Sequence, residues 1–114
     1  MLVPEDEEAA MEADLDRLAR ARGERVVDLQ GRRIGRVTDI AFEPNTFKPD
    51  WLVVKTSMLG RARLVPVAEA VEQGDTIRVP FLRETVLDAP VPTIPTTPAM
   101  TECAALDQHY RRAA

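Results

Sequence analysis

Residues 31–56 read GRRIGRVTDIAFEPNTFKPDWLVVKT, and the pattern in this stretch decides the fold class. Gln30-Gly31 makes a turn, and Ile34–Phe42 follows as an extended run with Ile34, Ile40 and Phe42 on one phase. Val37 falls on the other phase. That predicts either a bulge, the usual device for bending a strand in a small barrel, or burial on both faces. Glu43-Pro44-Asn45-Thr46 has turn chemistry and leads into Pro49-Asp50. Trp51–Thr56 (WLVVKT) is the most apolar run and is expected to be the most buried strand.

Working outward, Val26–Leu29 reads as a short strand before the Gln30-Gly31 turn. Downstream, Leu59-Gly60 makes a second turn, and Arg61–Val67 is a strand in which Pro66 withdraws a ladder donor. Ala68–Val71 is expected to form one helical turn before Gly74-Asp75. Thr76–Phe81 alternates, with Ile77, Val79 and Phe81 inward and Thr76 and Arg78 outward, and Pro80 favours an edge position. Strands of this length at this spacing predict a mainly β fold, a compact antiparallel barrel or sandwich.

The flanks differ from this middle segment. Of 114 residues with a formal charge of -4, residues 1–22 hold seven acids (Glu5, Asp6, Glu7, Glu8, Glu12, Asp14, Asp16) against three arginines, so this segment carries the whole net charge. It reads as a helix over 5–22 with acids in its first turn, arginines in its last and Gly23 behind it. Met11, Leu15 and Leu18 form a narrow apolar stripe that needs a docking surface, because a lone helix of this length is marginal in water. At the other end, APVPTIPTTPA (89–99) is a proline-rich strap. At ~3.1 Å per residue it reaches about 34 Å, far enough to cross a small domain or meet a partner chain. A short helix over 102–112 follows, with Thr101 as its expected N-cap. The division is thus an acidic N-terminal helix (1–23), a β-domain (24–90), and a strap with a C-terminal helix (91–114).

The ordered combination of Gly31-x-x-Ile34-Gly35-x-Val37, Trp51–Thr56 and Leu64–Val67 is similar to the PRC-barrel family. The tail, through Leu106, His109 and Tyr110, resembles the Leu-x-x-His-Tyr ending of some bacterial members. The resemblance covers roughly 24–90 plus the tail and leaves the acidic helix outside. It implies a small, partly open antiparallel β-barrel that serves as an assembly or adaptor module rather than an enzyme. Such barrels occur in the photosynthetic reaction-centre H subunit, in ribosome maturation proteins and in small stand-alone proteins. No apolar run approaches the ~18–20 residues a membrane helix needs, and MLVPEDEE has no signal-peptide character. The expectation is therefore a cytoplasmic, bacterial, stand-alone member, with no membrane partner and without the extra N-terminal domain of the maturation proteins.

Chemistry-bearing groups are sparse. Cys103 is the one cysteine, so an intramolecular disulfide or a multi-cysteine zinc site is excluded. Cys103 and His109 lie six apart, roughly 120° around a helix, so they do not make a dyad. Ser57 is the one serine, and phosphate-binding glycine patterns are absent. No catalytic residue, metal or cofactor is expected. Trp51, Phe42 and Phe81 are read as core or interface. The candidate self-association residues are Met11, Leu15, Leu18, Trp51, His109 and Tyr110, in a homodimer or with an unidentified protein. Arg32, Arg33, Arg36, Arg61, Arg63 and Arg78 are the candidate basic surface, opposed by ten acids in the same segment. That surface suits the acidic helix of a neighbouring copy, or RNA if the chain acts as a ribosome-associated factor.

Overall fold

In the computed structural model, residues 20–42, 49–58 and 60–113 are described. The helix expected over 5–22, with Met11, Leu15 and Leu18, and the turn at 43–46 lie outside the described residues, apart from the end of that helix from Arg20 on. The strands are β1 (Arg25–Val27), β2 (Arg33–Phe42), β3 (Pro49–Lys55), β4 (Arg63–Pro66), β5 (Val71–Gln73) and β6 (Thr76–Arg78), followed by helices α1 (Arg83–Leu87) and α2 (Met100–Ala113). They form one six-stranded sheet in the order β4-β3-β2-β1-β6-β5.

Every neighbouring pair is antiparallel except β1 and β6, which are parallel. The sheet is therefore mixed, and the expected all-antiparallel barrel is corrected on this point. The cause lies at residues 67–70, in place of the helical turn expected over Ala68–Val71, whose last residue instead begins β5. The Ala70 N–H donates to the Val67 carbonyl (3.1 Å), and Glu69 takes a left-handed backbone, φ 69°. The ladder directions make β4 and β5 run the same way, so this link is a corner and not a hairpin. It carries the chain from one edge of the sheet directly to the other. That brings the two edges together and curls the sheet, but β4 and β5 do not pair, so the barrel stays open along a seam. Strand β5 has all three side chains exposed and was missed for that reason. β6 lies inside the sheet rather than at its edge, because Pro80 falls beyond the last residue of its ladder.

The described part of the quoted stretch forms the two expected strands. Val37 pairs with Val54 and Asp39 with Val53, so Thr38 is an extra residue on β2. This bulge resets the phase, so that Val37 and Ile40 are both buried. A second irregularity, between Ala41 and Phe42, turns Phe42 outward, against the expected inward phase. Gly31 sits at φ 84°, in the region that favours glycine. Gly35 is required for another reason: a Cβ there would lie 2.1 Å from the Lys55 carbonyl oxygen. All four residues of Trp51–Val54 are buried, covered on both faces of the sheet.

The C-terminal segment packs on the same chain. Helix α2 begins two residues earlier than expected, and Ala99 rather than Thr101 precedes it. Glu102 accepts from the Ala99 N–H (2.8 Å) and from the Thr93 N–H (2.9 Å), which ties the strap to the helix start. Pro92 and Pro98 are buried, so the strap folds back instead of reaching out. Leu106 and Tyr110 then enter the core, each contributing about 2 kcal/mol of burial. The Tyr110 ring lies 4.7 Å from Phe81 and 6.5 Å from Trp51, and its hydroxyl donates to the Leu64 carbonyl of edge strand β4 at 2.6 Å. Burial pushes the Tyr110 phenol above its ordinary value, so it remains a donor.

Replacement of Gly35 by alanine forces β2 and β3 apart at Lys55. Gly35→Ala is expected to destabilise the fold by about 2–3 kcal/mol in urea unfolding. A change within experimental error would show that the strand separation adjusts freely.

Candidate functional site

Asp28 follows β1 and is completely buried. Its Oδ1 accepts from the backbone N–H groups of Gln30 (2.9 Å) and Arg32 (2.8 Å), closing the turn around Gly31. Its Oδ2 accepts from Arg32 Nε and from the backbone N–H of Arg83, both at 2.9 Å. The second bond caps α1, whose own N-cap residue Leu82 supplies no side-chain bond. The Arg32 guanidinium also makes a two-pronged pair with Glu84, both contacts at 2.7 Å. Burial alone pushes the Asp28 carboxyl up, but the bonds from Arg83, Arg32 and Gln30 outweigh it and hold the group below the usual carboxylate range. The Arg32 contact likewise lowers Glu84.

This node places α1 beside the start of β2 and the end of β3. A groove of about 590 Å³ lies there, lined by Arg33, Ile34, Gly35, Arg36, Thr38, Lys55, Thr56, Ser57, Met58 and Arg83. Four of these described lining residues are cations, none is a carboxylate, and the Met58 side chain stands 88% exposed. Ser57 is spent on its turn, accepting from the Gly60 N–H at 2.8 Å. The groove can hold an anionic segment that also presents an apolar contact.

The structure divides the expected basic surface. Arg33 and Arg36 line the groove, although Arg36 also donates to the Gly23 carbonyl (2.8 Å). Arg32 is committed to Asp28 and Glu84. Arg63 donates to the Ala89 carbonyl (3.2 Å), and Arg78 is half-buried on β6. Arg61 is exposed but is not among the groove's lining residues. Lys55, Met58 and Arg83 were missed, because only the β2–β3 pairing and the α1 cap bring them together. Of the residues expected to self-associate, Trp51 and Tyr110 are buried within one chain and offer a second copy no surface. His109 Nε2 contacts the Thr85 carbonyl of α1 at 2.8 Å, while Cys103 Sγ contacts the Pro98 carbonyl at 3.9 Å, so the two engage different neighbours.

The family model for the PRC-barrel domain matches residues 14–86, from the N-terminal segment through all six strands to α1. The chain belongs to the PRC-barrel family. The match begins inside the acidic segment, and the tail with Leu106, His109 and Tyr110 falls outside it. No curated protein matches the chain. Among the described residues, no helix is long and apolar enough to cross a membrane. Membership points, in general terms, to a protein-interaction or assembly module.

In Asp28→Asn the new amide presents a donor toward the Arg83 or Arg32 N–H. A loss of about 2–4 kcal/mol at neutral pH is expected. Because folding lowers the Asp28 value, its contribution is complete above the ordinary carboxylate range, near ~3.9, and fades as pH falls through the lowered value. Thermal melts across pH 2–7 should therefore show a shallower acid decline in Asp28→Asn than in the parent. Parallel declines would remove Asp28 from the acid response.

Proposed function

We propose that this PRC barrel is a non-catalytic cytoplasmic adaptor that self-associates as a homodimer, its basic groove receiving the acidic N-terminal residues of the second copy. One observation carries the reading: among the described residues, four cations and no carboxylate line the groove, while residues 1–22 carry the chain's whole net negative charge. Each exposed pair contributes only about 0–1 kcal/mol. The charges therefore set register and encounter rate, and burial of Met58 adds apolar contact. Separate engagement of Cys103 and His109 supports a non-catalytic role.

Light scattering at micromolar concentration tests this directly. A dimer is expected, weakened about tenfold by raised salt and again by Arg33→Glu with Lys55→Glu. A strict monomer at every salt concentration would refute it.

The same four cations support a second reading, binding of RNA. It is the weaker one, because Arg32 and Arg63 are occupied internally. It predicts a steeply salt-dependent RNA gel shift lost in the same double variant, and it is dismissed if no shift occurs at low salt.

A further inference from the structure

Residues 67–70 are the single covalent joint between two halves of the domain. The first half holds β1 to β4, and the second holds β5, β6, α1, the strap and α2. Each half coheres by itself. Antiparallel ladders run from β1 to β4, while in the second half β5 pairs with β6 and His109 of α2 contacts the Thr85 carbonyl of α1. Between the halves stand the parallel β1–β6 ladder, the bond from the Arg83 N–H to Asp28 (2.9 Å), the Arg32–Glu84 pair (2.7 Å) and the bond from the Tyr110 hydroxyl to the Leu64 carbonyl (2.6 Å). Chain connectivity enforces none of these contacts. They form equally well within one chain or between two identical chains.

The joint is short and strained, the kind that favours exchange. Glu69 sits there at φ 69°, a backbone that disfavours any residue with a Cβ. Pro66 closes β4 and holds Val65 extended, so the strand stays stiff up to the corner. Ala68 and Glu69 are exposed, so unbending at these two residues uncovers no core. The basic groove itself spans both halves: Arg33, Arg36 and Lys55 belong to the first, and Arg83 belongs to the second. The geometry points to exchange of residues 71–113 between two copies of this chain, each groove then combining Arg33, Arg36 and Lys55 of one copy with Arg83 of the other. This exchange rests on the self-association reading above and specifies how that dimer is built. Closed monomer and exchanged dimer share every contact between the halves and differ at the joint, so concentration decides between them.

The test uses the full chain in a Cys103→Ser background. Arg25 and Thr76 stand opposite each other in the β1–β6 ladder, a spacing that a disulfide can bridge. A tagged Arg25→Cys chain and an untagged Thr76→Cys chain are refolded together from urea at micromolar concentration, oxidised and separated without reductant. The expected product is a disulfide between the tagged and untagged chains, about tenfold more abundant than with Arg25→Cys and the exposed control Gln108→Cys. No enrichment over the control would overturn the exchange. Independently, Glu69→Gly removes the cost of the left-handed corner and should weaken the dimer about tenfold in light scattering. An unchanged dissociation constant would overturn the exchange as well. Salt and the Arg33→Glu with Lys55→Glu variant separate the two ideas. A dimer weakened by both, yet without the Arg25–Thr76 link, keeps the groove contact and refutes exchange. A link indifferent to both keeps exchange and refutes the groove contact.

Discussion

Asp28 sits without exposed surface where the β1–β2 turn meets the start of α1, and both of its oxygens are fully engaged. A buried carboxylate in that position is costly unless donors surround it, and here the donors come from two distant parts of the chain. Arg32 closes the turn from one side, while the Arg83 N–H anchors the helix from the other. Arg32 also reaches Glu84, so a single guanidinium ties two acids on different elements. Without this node α1 has no N-terminal cap, and the helix bears both on the core through Val86 and on the basic groove through Arg83. Packing and the candidate interface thus share one polar anchor.

The second constraint is geometric. Six strands joined only by hairpins would alternate in direction throughout. Because the 67–70 link is a corner, one parallel pair becomes unavoidable, and the sheet curls without closing. The two exposed edges are then handled differently. Strand β4 is covered by the C-terminal helix, whose Tyr110 hydroxyl satisfies the Leu64 carbonyl. Strand β5 is only three residues long, a length that limits pairing with foreign strands.

Much of this was written in local pattern. The two-residue period marked β2 and β6, the apolar run Trp51–Val54 marked β3, and the out-of-phase Val37 pointed to a bulge or to burial on both faces, of which the bulge at Thr38 is observed. Gly31 and Gly35 read as a turn and a strand, although the close approach of Lys55 to Gly35 belongs to tertiary structure. What could not be read had no local signal. The bond from Arg83 to Asp28 spans 55 residues. The five-residue α1 is too short to display a helical period, and β5 carries no buried side chain to betray it. Phe42 misled because phase counting assumes regular pairing, and a second irregularity intervenes before it. The groove drew Lys55, Met58 and Arg83 from separate runs, whereas the arginines clustered in sequence were partly consumed by internal bonds.

The corner has one more property that a hairpin lacks. Opened flat, it leaves β4 and β5 as a single continuous strand, because both already run the same way. The β5–β6 hairpin would then extend away from its own barrel, with an intact ladder partner only in the β1 strand of another molecule. Glu69 holds a left-handed backbone at this point, a conformation costly for a residue with a Cβ, and straightening would release that strain. The bend that curls the sheet is therefore also the point that keeps the β5–β6 hairpin on its own barrel.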